Sequence, residues 1–328
     1  MWNKTVFISG ANGMLPTYFV HLFMMMNLTR KSNIRVLALV RNRERALLVF
    51  SKYLKDPFFE LLVQDVSTPI EIDQKVDLII HAASQASPKF YGIDPVGTIN
   101  ANVLGTYNLL KLGYEKKVES FLLFSSGEVY GIPAKATNIK EDDYGYIDIL
   151  NVRSCYAESK RLAETMCIAW FHQFGVPVKI ARIFHSYGPG VQLDDGRVFA
   201  DFIKNIVNSQ NIVLNSSGSA ERPFCYISDC IAALLFIMLK GEIGDAYNVA
   251  NVTEYLSVKK LAELLVKLFP EKKLRVELNT PIDHASGYIR SKIEQACPNV
   301  DKIMELGWEP KISVSEGFRR TIEFIQTL

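Results

Sequence analysis

Several short stretches of this chain are apolar almost throughout, and they constrain its fold more than any other feature. Six candidate strands lie at residues 4–9, 34–40, 58–64, 77–81, 119–125 and 178–184. A strand with one wet face alternates apolar and polar residues, whereas a parallel strand buried on both faces reads as a continuous apolar run. Longer helical patterns separate them. Asp94 offers an N-cap to Pro95, whose missing N–H costs nothing in a first turn, and that helix is expected to reach about Gly113. Ser154 can cap another that ends near Gly175, with Leu162, Met166 and Trp170 at core spacing. Repeated strand–helix–strand units of this kind predict an α/β fold with a doubly wound parallel sheet.

Beyond Phe184 the texture changes. Pro, Gly and Asp punctuate residues 185–197, strands thin out, and helices are expected at 198–208, 228–240, 257–269 and 300–306, the last stopped by Gly307. A chain of 328 residues has room for one large α/β domain and a smaller one. The expected division places the wound sheet in residues 1–184 and a smaller, mostly C-terminal α/β domain in 185–328, with the helix near 228–240 a candidate to pack back on the first.

The net charge of +2 gives no reason to expect nucleic acid or an anionic membrane as partner, which leaves a small molecule. The most apolar segment, 231–239, is too short to span a bilayer. The start, MWNKTVFISG, lacks the pattern of a secretory signal. Five cysteines form no C-x-x-C pair and have no His at zinc-ligand spacing. Reduced thiols, a cytoplasmic location and no metal are the expectation.

Directly after the first candidate strand comes Gly10-Ala11-Asn12-Gly13-Met14-Leu15-Pro16, then a helical pattern through Leu28. A strand, a Gly-rich turn and a helix N-terminus present backbone N–H groups and a positive dipole end to a pyrophosphate. Gly10 permits the tight turn and Gly13 the close approach, which makes Gly10, Asn12, Gly13 and Met14 candidates for holding a dinucleotide. A purely structural turn reads the same way from two glycines alone. Pro16 stands where a third glycine would, so looser packing of this helix on the strand is expected. At the end of the second strand a carboxylate would accept the ribose 2′-hydroxyl of NAD, but the chain reads Val40-Arg41-Asn42-Arg43. Two arginines suit the 2′-phosphate of NADP or form a solvated basic loop.

A Tyr-x-x-x-Lys pair puts a phenol and an ammonium on one helix face, where the positive charge favours the phenolate and lets it act as a base. The pattern occurs four times, at Tyr107/Lys111, Tyr156/Lys160, Tyr255/Lys259 and Tyr288/Lys292. Context selects Tyr156/Lys160, the pair on the helix before the sixth strand, with the Ser-rich strand end Phe124-Ser125-Ser126-Gly127-Glu128 just ahead of it in fold order. Ser126, at the C-terminal end of a parallel strand, faces the crevice where such sheets bind ligands.

On these residues the chain resembles the extended short-chain dehydrogenases of the nucleotide-sugar epimerase/dehydratase family, over nearly its whole length. Within that family the resemblance is greatest to the UDP-glucuronate decarboxylases. It rests on FSSGEVYG at 124–131, RSCYAESKRLAETMC at 153–167, DDGRVFADFI at 194–203, GSAERPFCYISD at 218–229 and LGWEP at 306–310, with ASPKFY at 86–91 and NVLGTYNLL at 102–110. It implies a Rossmann domain in residues 1–184 and a substrate-binding domain in 185–328. NAD is the family's usual cofactor, with Arg41 and Arg43 leaving NADP open, and Asp65, Val66, Ala82, Ala83 and Ser84 are implied to line its site together with Tyr156 and Lys160. Catalysis is implied for Ser126, Glu128, Tyr156 and Lys160, and substrate contact for Tyr91, Ser126, His185, Arg197 and Arg222. The implied chemistry oxidises the sugar at C4 to a 4-ketone, after which the sugar is epimerised, dehydrated or decarboxylated. A homodimer built on the helices holding Tyr156 and residues 102–110 is implied as well.

Three departures bear on the branch. Gly127 stands where 4,6-dehydratases carry an acid that helps water leave and where the decarboxylases usually carry Ser. His185 stands where family members commonly carry Asn, and Ala296-Cys297-Pro298-Asn299 lacks the arginine expected to meet a sugar carboxylate, a place Arg290 can fill only if the loop reroutes. Decarboxylation of a β-keto acid needs no leaving-group acid and survives the first departure best. A 4,6-dehydratase, a 4-epimerase and a non-catalytic dinucleotide sensor are the alternatives.

Overall fold

The computed structural model describes residues 1–134, 137–279 and 297–327. The chain runs β1 (Thr5–Ser9), α1 (Met14–Arg30), β2 (Arg35–Val40), α2 (Arg43–Val49), β3 (Phe59–Val63), β4 (Leu78–His81), α3 (Lys89–Ile93), α4 (Pro95–Lys116), β5 (Ser120–Ser126), α5 (Ser154–Phe174) and β6 (Val178–Ile183). It continues through β7 (Ser186–Tyr187), α6 (Val198–Val207), β8 (Ile212–Leu214), β9 (Glu221–Pro223), β10 (Cys225–Tyr226), α7 (Ile227–Lys240), β11 (Asp245–Val249), β12 (Tyr255–Ser257), α8 (Val258–Leu268), β13 (Val276–Leu278), α9 (Asp301–Met304) and α10 (Val314–Gln326).

Seven strands form one sheet in the order β11-β6-β5-β4-β1-β2-β3, and every neighbouring pair is parallel. The apolar runs end up where their composition requires: all seven residues of β5 are buried, and so are all four of β4. Period-two alternation then sorts them between two cores. Val6, Ile8, Val36, Ala38, Leu122 and Phe124 join one; Phe7, Leu37, Ile79, Phe121 and Leu123 join the other. Helices α1 and α7 cover the first face, α4 and α5 the second.

The six expected strands are all present, with ends shifted by a residue or two. The seventh, β11, pairs with β6 although it arises sixty residues later; its sequence, DAYNV, has too little apolar character to announce itself. Local caps explain the main helices. Asp94 accepts the Gly97 amide at the head of α4, and Gly175, at φ +70°, closes α5. The expected loosening at Pro16 does not occur. Pro16 is the buried third residue of α1, where its missing N–H removes no bond, and Thr17 still donates to the Gly13 carbonyl at 3.1 Å. The rest pairs as short ladders, β7 with β10, β8 with β13 and β9 with β12, beside the mutually packed α6, α8 and α10.

Candidate active site

Strand β1 lies between β2 and β4, so the chain leaves it in opposite directions and a crevice opens at the C-terminal ends of β1 and β4. Gly10, at φ +64°, follows β1, and a Cβ there would sit 2.7 Å from the Cα of Ala83. Only glycine allows that approach. The Ser9 hydroxyl accepts the amides of Ala82 and Ala83, each at 3.1 Å, and lies 2.8 Å from His81 Nδ1, which straps the two strand ends together. Burial pulls His81 down to about 3, so its imidazole is neutral and serves this strap. Gly13 caps α1 in extended conformation, Met14 begins it, and no acidic residue stands in its first turn to repel an anion. The buried hydroxyl of Ser84 has no hydrogen-bond partner among the described residues, a donor that a ligand in this crevice would satisfy. These residues fit a nicotinamide dinucleotide.

Beside this turn, Asn12 donates to the Asn42 carbonyl at 3.5 Å, and Arg41 faces Asp65 at 3.8 Å. The other Asp65 oxygen accepts the Ser67 amide at 2.9 Å and hydroxyl at 2.7 Å. Val66 is buried against Gly105, and Arg43 opens α2 exposed to solvent.

Strand β5 ends on Ser126, which caps a short 3-10 turn by accepting the Glu128 amide at 3.2 Å. From α5, Lys160 donates to the Phe124 carbonyl at 2.8 Å, with its Nζ 5.8 Å from the centre of the Tyr156 ring. Both side chains are buried. Of the other Tyr-x-x-x-Lys pairs, Tyr107 lies on the outer side of α4 against Trp170 and Tyr255 begins β12, while Tyr288/Lys292 fall outside the described residues. Burial pushes the Tyr156 phenol up to about 12; the Ser126 hydroxyl pulls the other way, Glu128 adds to the rise and Arg197 opposes it. Burial also draws the Lys160 ammonium down to about 8, against the pull of Glu164 one turn along the helix. Within the polypeptide, then, desolvation outweighs the charge pairing expected from the motif.

One residue escaped the sequence reading. Arg153 holds both oxygens of Glu128, at 2.9 and 3.0 Å, and its guanidinium lies 5.8 Å from the Tyr91 ring. Tyr91 in turn stacks on Tyr156, centroids 4.9 Å apart and planes 15° from parallel. The signal was present: Arg153 precedes Tyr156 by three residues, one helical turn, within RSCYAESK. Glu128 is therefore a carboxylate locked to a cation at the mouth of the site.

The space at Gly127 is also taken. A Cβ there would lie 2.4 Å from Phe184 Cε1, and Phe184 is itself buried and stacked on Tyr130. A dehydratase's acid cannot stand at that place without moving the ring.

His185 follows at φ +20°, its carbonyl accepting the Cys225 amide at 3.2 Å. Burial, with Arg222 and Arg197 adding to it, pulls its imidazole to about 3, so it is neutral. Three sequence candidates thus come within electrostatic reach of one another. Arg197 grips the Asp195 carboxylate, one contact being 2.8 Å, and Arg222 lies half-buried on β9 donating to the Glu221 carbonyl at 2.7 Å. Arg290 and Ala296 lie outside the described residues. Among the described residues, no group of three or more His, Cys, Asp or Glu gathers as a metal site, and no helix is long and apolar enough to cross a membrane.

The family model of the NAD-dependent epimerases/dehydratases matches residues 6–250. The chain belongs to the NAD-dependent epimerase/dehydratase family. It is thereby an enzyme rather than a sensor. Its relatives include UDP-glucuronic acid decarboxylase 6 of Arabidopsis thaliana, 39% identical over 81% of this chain and 74% of the relative. UDP-glucuronic acid decarboxylase 3 of the same plant is 36% identical over 96% and 87%. Among solved structures, the UDP-glucuronic acid 4-epimerase of Bacillus cereus, in complex with UDP-glucuronic acid and NAD, superposes with a TM-score of 0.82 at 21% identity over 99% of both chains. The likeness to that structure is one of fold.

Proposed function

We propose that this enzyme decarboxylates a nucleotide-linked uronic acid, UDP-glucuronate being the first candidate, through oxidation at C4 of the sugar. The observation that carries this reading is the convergence of Ser126, Tyr156 and Lys160 at the crevice, together with a Gly127 position closed to a leaving-group acid. The dinucleotide, when bound, supplies the acceptor for the C4 hydride. Tyr156, in its phenolate form, takes the proton of the C4 hydroxyl, Ser126 orients that hydroxyl, and Lys160 keeps positive charge beside the phenol. A ketone at C4 turns the C5 carboxylate into that of a β-keto acid, whose carbon–carbon bond breaks to release carbon dioxide without acid assistance; a proton then fills C5, and return of the hydride to C4 leaves a pentose. Arg153 is assigned to the sugar carboxylate, in the role of the arginine that the segment at 296–299 lacks, which requires it to exchange its Glu128 partner for the substrate. His185, Arg197 and Arg222 are assigned to the nucleotide-diphosphate side.

In this reading the wound sheet of residues 1–184, completed by α7 and β11, carries the cofactor and the rest of 185–328 meets the sugar nucleotide, in a cytoplasmic homodimer. Leu162, expected in the core, is exposed instead, because α5 buries Ala163 and Cys167; with Ile168 on α5 and the exposed Leu104 and Tyr107 on α4 it supports the dimer as an apolar stripe on the second sheet face. Incubating the protein with UDP-glucuronate and cofactor is expected to release carbon dioxide and a nucleotide pentose. Turnover of a neutral hexose nucleotide with none of the uronate would replace this reading with the epimerase one.

A further inference from the structure

We infer that the adenosine-ribose end of the cofactor site is built for a 2′-phosphate, and that this enzyme selects NADP over NAD. Ser9 pairs with Leu39 across β1 and β2, and the Ala11 amide donates to the Leu39 carbonyl at 3.0 Å, so the phosphate-binding turn lies directly beside the end of β2. The residues leaving that end are Arg41, Asn42, Arg43, Glu44 and Arg45, all exposed. Asn12 of the turn touches the Asn42 backbone, which fixes the two loops edge to edge.

A 2′-hydroxyl held here as in an NAD site needs an acceptor, ordinarily a carboxylate at the end of the second strand. None stands there. The Asn42 side-chain oxygen is committed to the Arg45 amide at 2.9 Å as the cap of α2. The nearest acid across the loop, Asp65, spends one oxygen on Ser67 and turns the other to Arg41. What the site presents instead is a guanidinium. The Arg41–Asp65 approach, 3.8 Å with Arg41 65% exposed, is a long and well-solvated pair. A phosphate offers Arg41 shorter, charge-assisted and bidentate bonds in exchange. Arg43, at the head of α2 beside Glu44, adds a second positive charge next to that of Arg41. The placement of these cations against the phosphate turn, rather than the overall basic pI of about 8.1, sets this preference.

Two measurements test this without any sugar substrate, so their failure is separate from failure of the proposed reaction. First, nucleotide released by denaturing the purified protein is identified by mass; NADP is expected, and a preparation carrying NAD would overturn the inference. Second, protein stripped of nucleotide is titrated with NADPH and with NADH, following the fluorescence of the reduced ring. NADPH is expected to bind tighter by about tenfold to a hundredfold, the worth of one or two charge-assisted bonds. Arg41→Asp should reverse that ratio, while Arg41→Lys, which keeps the charge, should leave NADPH preferred. Equal affinities in the parent protein, or an unchanged ratio in Arg41→Asp with the fold intact by circular dichroism, would overturn it.

Discussion

Tyr156 and Lys160 titrate in the reverse of the order their proposed roles require. With the phenol near 12 and the ammonium near 8, the productive pair of phenolate and ammonium is a minor arrangement of the two protons. Its population rises about tenfold per unit as pH approaches 8 and then levels, because above that value each gain in phenolate is matched by a loss of ammonium. The pH profile of kcat/KM is therefore expected to climb below about 8 and flatten above it. A profile already flat at pH 6 would mean that the charge of the bound cofactor, rather than burial, sets the phenol. Replacing Tyr156 by Phe should lower turnover by about a thousandfold or more while cofactor affinity stays within a few fold. Undiminished activity in that variant would remove the proposed base.

At the level of elements, two glycines mark where backbone and ring come too close for a side chain. Gly10 combines φ +64° with a 2.7 Å approach to the β4 end, so Gly10→Ala is expected to weaken nucleotide binding at least tenfold and lower the thermal midpoint. Gly127 differs: its backbone is ordinary and the obstacle is Phe184. Gly127→Ser should cost about 1–3 kcal/mol by overpacking, and the added Phe184→Leu change should return part of that loss. Denaturant melts of the single and double variants measure the coupling. A fully additive result would mean that the ring is not what excludes a side chain at that position.

For the molecule as a whole, a buried polar cluster ties the sheet to the loop beyond the Gly127–Tyr130 turn. Arg182 of β6 bonds both oxygens of Glu164 on α5 and reaches the hydroxyls of Tyr130 and Tyr144 and the Glu141 carbonyl. Tyr130 passes the chain on to Asn248 of β11, and Ser125, next to the site's Ser126, bonds Glu164. Removing one charge of such a pair leaves the other buried and uncompensated. Glu164→Gln is expected to destabilise by about 3–5 kcal/mol, read as a shift in the urea midpoint. The dimer belongs to this scale too: Tyr107→Glu with Leu162→Glu should convert the proposed dimer to monomer in sedimentation equilibrium.

The chain's order of apolar runs and caps determined the parallel sheet and its helices, since burial on both faces leaves a signature that needs no partner to be seen. The Gly10 turn and the Tyr156/Lys160 spacing were equally local, each lying within one turn or one helix. What only the tertiary structure decided were relations between distant segments. Arg153 closing on Glu128, Phe184 filling the place beside Gly127, Asn42 spending its oxygen on its own helix and β11 completing the sheet all depend on packing. Sequence spacing sets which side chains share a face; which of them then meet a neighbour from elsewhere, and how far burial shifts their protons, is settled by the close-packed interior that brings those segments together.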